Sequence, residues 1–96
     1  MVAIIATFRI KPGAEAEFEA AFRALAAKVR ANEPDNRLYT LVRPKNAPGT
    51  YRVMELYTDM DAVKAHGGTD HFAAARPRLA ACCEGAAAIE ILDVVV

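Results

Sequence analysis

Over the first ten residues apolar positions alternate. Val2, Ile4, Ala6, Phe8 and Ile10 share one parity, with Ala3, Ile5, Thr7 and Arg9 on the other. A period of two predicts a strand. Lys11-Pro12-Gly13 ends it, because proline removes a ladder donor and glycine permits the turn. The rhythm then lengthens: Phe18, Phe22, Leu25 and Val29 recur at steps of four, three and four, predicting a helix over 14–32 with one apolar stripe. Most of its other positions hold Ala, Glu, Lys or Arg, all strong helix formers. Glu15, Glu17 and Glu19 crowd its positive end, and Lys28 and Arg30 lie near its negative end. Glu33-Pro34-Asp35-Asn36 is expected to close it, with Asp and Asn taking left-handed turn conformations.

Residues 37–44 and 50–58 read as two strands of a hairpin joined by Pro44-Lys45-Asn46-Ala47-Pro48-Gly49. Asp59 is the expected N-cap of a two-turn helix that ends at Gly67-Gly68. Thr69 or Asp70 caps the next helix, which runs to about Cys83 and should kink or split at Pro77. Glu84-Gly85 ends it, and residues 86–96 form a final strand. The order β-α-β-β-α-β predicts an α+β, ferredoxin-like antiparallel sheet with helices on one face, spanning 1–96 as a single domain.

Each strand carries large apolar residues on both parities. Ile4 and Phe8 oppose Ile5, and Leu38 and Val42 oppose Tyr39 and Leu41. Tyr51 and Val53 oppose Met54 and Leu56, and Leu92 and Val94 oppose Ile89 and Ile91. Helices can cover only one sheet face. Each large residue left on the other forgoes about 1.5–3 kcal/mol. A homodimer packed through the sheet face is therefore expected.

Composition narrows the partners. Lysine plus arginine and aspartate plus glutamate number 12 each, so no basic excess points to nucleic acid. No apolar run is long enough to span a bilayer, and the first residues lack the pattern of a signal peptide, so a cytoplasmic protein with no membrane partner is expected. Cys82 and Cys83 are adjacent, a spacing suited neither to a relaxed disulfide nor to zinc, and read as ordinary small helix residues.

Both histidines, His66 and His71, flank the Gly67-Gly68 break. Either one could face a cleft as a general base or hydrogen-bond donor, or both could cap helix ends. A joint metal site lacks a clear third ligand, so no metal is expected. Glu55 sits among apolar neighbours, where it is either paired with Arg9, Arg43 or Arg52 or raised in pKa as a base. Tyr39, Tyr51 and Tyr57 either pack in the strands or line a pocket for a planar ligand. Arg76 is either an exposed helical residue or an anion stabiliser. No phosphate loop, dinucleotide fingerprint or Ser-His-Asp order is present.

Several short stretches, in order along nearly the whole chain, carry a resemblance. They are Lys11-Pro12-Gly13, Asn32-Glu33-Pro34, Glu55 with Tyr57 and Asp59, Ala65-His66, and Thr69-Asp70-His71-Phe72. In these the chain resembles the antibiotic biosynthesis monooxygenase (ABM) domain, a dimeric α/β-barrel family that also includes quinol monooxygenases and autoinducer-processing isomerases. The resemblance implies a cofactor-independent monooxygenase acting on a small aromatic or quinol, with no flavin or metal. His66 or His71 would be the base, Arg76 the anion stabiliser, and Tyr51, Tyr57, Phe72 and Glu55 substrate contacts. The alternatives are an isomerase or proton-transfer enzyme on a small carbonyl compound, and a non-catalytic small-molecule-binding dimer. The chain also departs from the family pattern: Asp35 follows Glu-Pro where glycine is usual, and Tyr57 stands where many members carry tryptophan. The positions used by the haem-degrading branch hold Ala6, His66 and Arg76, so haem degradation is not implied. Of the residues used by the aromatic-polyketide branch, Val53 and Tyr57 replace two, and Arg76 alone matches.

Overall fold

A computed structural model describes residues 1–96. The elements are β1 (Val2–Arg9), α1 (Glu15–Asn32), β2 (Asn36–Val42), β3 (Thr50–Tyr57), α2 (Met60–Gly67), α3 (Asp70–Ala81) and β4 (Ala88–Asp93). Their order is the ferredoxin-like one, and they form a single four-stranded antiparallel sheet with strand order β2-β3-β1-β4.

The alternation sorts side chains as their parity requires. Ile4, Ala6, Tyr39, Tyr51, Val53 and Tyr57 are buried beneath the helices, and the α1 stripe of Phe18, Phe22, Leu25 and Val29 seals them. Phe18 stacks obliquely between Phe8 and Tyr51, each 5.3 Å away, and Phe22 lies parallel to Tyr39 at 5.1 Å. On the opposite face the register aligns Leu38 with Leu56, Ala3 and Leu92, and Thr40 with Met54, Ile5 and Glu90. Leu38, Val42 and Met54 are exposed there. The apolar second face expected from the alternation is therefore present and uncovered within the chain.

Some local expectations change. No residue other than glycine takes a positive φ, so the turn after α1 forms without a left-handed Asp35 or Asn36. Instead the Asn36 amide bonds the Glu33 carbonyl at 3.1 Å. Gly68 ends α2 at φ −99, so that break does not use glycine's special freedom. Gly13 does, at φ +86, where the chain leaves β1 for α1. α3 is not split by Pro77 but continues to Ala81, leaving Cys82 and Cys83 just beyond it. β4 is shorter than 86–96 and stops at Asp93.

One departure shapes the site. Ile89 and Ile91 pair with Ala6 and Ile4 and so face the helical side, yet they remain 59% and 57% exposed. α1 covers the β2–β3 half of the sheet, and no helix reaches fully over β4.

Candidate functional site

Three chain segments meet at the end of α1. Glu33 is the C-cap of α1, its amide bonded to the Val29 carbonyl at 2.9 Å. His66 belongs to the last turn of α2, a helix started by the Asp59 side chain, which accepts from the Ala62 amide at 2.8 Å. His71 lies in the first turn of α3, which Thr69 caps through the Phe72 amide at 3.3 Å. The Thr69 hydroxyl donates in turn to the His66 carbonyl at 2.8 Å, so α2 and α3 are held at a set angle around the histidine pair.

Glu33 is the shared partner of both imidazoles. His66 Nδ1 lies 3.0 Å from each carboxylate oxygen, and His71 Nε2 lies 2.6 Å from Oε2. A carboxylate only accepts, so these two nitrogens carry the protons. Side-chain exposure is 9% for His66, 14% for His71 and 10% for Glu33. These contacts place a proton on His66 Nδ1 toward Glu33, and in the neutral ring Nε2 then carries the lone pair. No side-chain nitrogen or oxygen is both sealed from solvent and without a partner. His66 Nε2 makes no hydrogen bond, so it must reach open space. The imidazole ring packs against Phe72, Tyr39 and Tyr57 at 4.9, 5.2 and 5.8 Å.

His66 lines a cavity of about 480 Å³ between the sheet, α2 and α3, with Ile89 and Ile91 along its uncovered side. Its walls are largely apolar, and the polar side chains that reach it are Tyr39, Glu55, His66 and Arg76. The segment after α3 is tied to the end of β1, where the Lys11 amide bonds the Cys82 carbonyl and the Glu84 amide bonds the Arg9 carbonyl, each at 2.8 Å.

Glu55 accepts from the Tyr57 hydroxyl at 2.6 Å and pairs with no arginine. The expected pairing with Arg9, Arg43 or Arg52 is absent for a reason of parity. Arg9 and Arg52 sit on the open-face parity of their strands, opposite to Glu55. Arg43 pairs with Glu19 at 3.3 Å. Burial pushes the Glu55 carboxyl above the usual carboxylate range, offset in part by the Tyr57 hydroxyl and by His66. The Tyr39 and Tyr57 phenols are raised well above their ordinary value, mainly by burial and then by the nearby carboxylates. The Arg76 guanidinium lies 5.1 Å from the Phe72 ring centre, a cation–π contact at the cavity wall.

Of the residues expected at a site, the fold brings His66, Glu55, Phe72 and Arg76 to one cavity. Tyr57 is buried beneath it and reaches it only through Glu55. His71 faces a separate groove between α1 and α3. Tyr51 belongs to neither: its hydroxyl donates to Glu19 in a cleft between α1 and β2. Glu33 is the residue that sequence reasoning left out, and it supplies the third potential ligand that the histidines lacked. Its signal was a carboxylate placed just before the proline that stops α1.

With this geometry in view, comparison with known proteins is direct. The family model for antibiotic biosynthesis monooxygenase matches residues 1–78. The chain belongs to the ABM family. No curated protein matches it. Among solved structures, one from Caulobacter crescentus that carries the same family name is 48% identical, with a TM-score of 0.95 over 99% of this chain and 90% of that one. Rv0793 from Mycobacterium tuberculosis is 25% identical, with a TM-score of 0.89 over 99% of this chain and 95% of that one. SnoaB from Streptomyces nogalater, described as a cofactor-independent oxygenase, is 25% identical, with a TM-score of 0.85 over 99% of this chain and 93% of that one. No helix of this ABM chain is long and apolar enough to cross a membrane.

Proposed function

We propose that this chain is a cofactor-independent monooxygenase of the ABM type, acting on a small electron-rich aromatic or quinol held in the cavity beside His66. The observation that carries the reading is an imidazole whose Nδ1 is anchored by Glu33 and whose ring lines a largely apolar cavity. Membership of the family and likeness to SnoaB support it.

In this reading His66 Nε2 takes the phenolic proton, and Glu33 steadies the imidazolium that forms. The substrate anion reacts with dioxygen directly; one oxygen atom enters the ring and the other leaves as water, with the substrate supplying all four electrons and two hydrogens and so ending as the quinone. Arg76 offsets the developing negative charge, and the apolar walls strengthen that interaction by excluding water. Phe72 supplies a ring face for stacking. Oxygen uptake with a panel of hydroquinones and polycyclic phenols tests it. Uptake that depends on His66 is expected, and no uptake with any electron-rich phenol would sink the oxygenase.

One observation favours a second reading. Glu55 faces the same cavity, and its carboxyl is shifted toward the protonated form. An acid and a base across one ligand suit an isomerase or proton-transfer enzyme on a small carbonyl compound. Turnover without oxygen consumption would select it.

The uncovered sheet face supports a homodimer in which a second copy packs over Ile5, Leu38, Met54 and Leu56, giving the dimeric α/β barrel. Sedimentation at micromolar concentration should give twice the chain mass, and Met54→Arg should halve it. A monomeric parent protein would refute this assembly.

A further inference from the structure

We propose that Glu33, His66 and His71 form a binding site for a divalent transition-metal ion of the zinc class, at the junction of α1, α2 and α3. One carboxylate oxygen and two imidazole nitrogens, drawn from three different elements, lie within 4.8 Å of one another. Zinc bonds of about 2.1 Å in tetrahedral geometry hold donor atoms about 3.4 Å apart. Seating the ion spreads the present 2.6 and 3.0 Å contacts by less than about 1 Å and brings the two imidazole nitrogens, now within 4.8 Å of each other, to the same separation.

The chemistry of the partners is the stronger argument. A buried carboxylate is usually neutralised by arginine or lysine, which leaves no vacancy for a cation. Glu33 is bonded by neither, and its side-chain partners are two imidazoles. Each can exchange a hydrogen-bonding N–H for a lone pair by shifting its tautomer. The set then offers one negative charge and two neutral nitrogens, which suits zinc, cobalt or iron(II) and disfavours magnesium and calcium. Three protein ligands leave a position for water. His71, at 14% side-chain exposure beside the α1–α3 groove, gives the ion its way in. The Thr69 bonds that fix α2 against α3 hold both ligand carriers in place before the ion arrives.

Occupancy also changes what the cavity meets. Coordination takes the Nδ1 lone pair of His66, so its proton moves to Nε2. The base becomes a donor, and the metal silences turnover. This consequence rests on the function proposed above; the binding does not.

The test uses the full chain, stripped of metal, with Cys82→Ala and Cys83→Ala to remove competing thiols. Isothermal titration with Zn²⁺, visible absorption with Co²⁺ and a Mg²⁺ control should show about one Zn²⁺ per chain and no Mg²⁺ binding. His71→Ala and Glu33→Gln should each weaken Zn²⁺ binding at least about tenfold. Circular dichroism checks the fold first, and His71→Asn repeats the measurement if Glu33→Gln unfolds. Zn²⁺ binding no tighter than about 100 µM, or affinity unchanged in these variants, overturns the site. Tight Zn²⁺ binding that leaves turnover intact keeps the site and removes His66 as the base.

Discussion

His66 and His71 share one carboxylate and nearly the same burial, yet they differ in what lies beyond their other nitrogen. His66 sits among three aromatic rings and lines an apolar cavity together with Glu55 and Arg76. His71 looks onto a shallow groove beside Lys28 and Arg78. The hydrogen bond to Glu33 therefore does not set the two imidazoles apart. What sets them apart is the cavity each one lines, and in the proposed reaction only an imidazole bordering the apolar cavity can act as the base.

The sharpest way to break this comparison is to remove each ring in turn. His66→Ala should lower turnover by about 10²–10⁴-fold, the usual worth of a positioned general base. His71→Ala should lower it by less than about tenfold, acting through the position of Glu33. Each removes a hydrogen-bonding partner of the same carboxylate, a loss of about 1.5–3 kcal/mol, and His66→Ala should cost more than His71→Ala because it also leaves a hollow among three aromatic rings. Steady-state kinetics alongside urea unfolding separates the two effects. Equal losses of turnover would erase the distinction between the two rings.

Glu55→Gln gives a smaller effect and sharpens the cavity's part in the comparison. Gln keeps an acceptor for the Tyr57 hydroxyl while removing the charge. The folded-state pKa of Glu55 is raised by burial. Native protein therefore holds that proton to higher pH than the unfolded chain, and stability falls as pH climbs through the unfolded value and on through the folded one. The variant should be more stable than the parent at neutral pH, with the difference vanishing below the ordinary carboxylate pKa. Thermal melts across pH 3–8 read this out, and a difference that persists in acid would contradict it.

Gly67→Ala, between the two histidines, should have the smallest effect. A Cβ there meets nothing within 4 Å, and the residue is the last of α2 with no positive φ. A gain of about 0.4–1 kcal/mol is expected from reduced freedom of the unfolded chain. Loss of stability on melting would mean that the glycine serves a motion which the fold does not display.

Much of the architecture could be read along the chain because it depends on nearest neighbours. Period-two and period-four patterns are local, and so are the Asp59 cap and the turn at Gly13. The apolar second face followed from parity alone. Parity likewise separates Arg52 from Glu55 within β3, and the register with β1 does the same for Arg9. The passage of α3 through Pro77 was less accessible, because tertiary packing can hold a helix together across one missing donor.

The role of Glu33 as a shared partner of two imidazoles is not local, because those partners lie 33 and 38 residues away. Nothing near it in the chain separates a helix-stopping carboxylate from one that joins two imidazoles. The cavity is similarly non-local. That Ile89 and Ile91 share a face is written in their spacing; that this face is the helical one, and that it stays uncovered, depends on pairing with β1 and on where the helices cross the sheet. Alternation and capping act within a few residues, so the order of elements and the double-sided apolar sheet belong to the chain itself. Which of two histidines looks into a cavity, and which carboxylate ties them together, was settled only when three segments distant in the chain packed side by side.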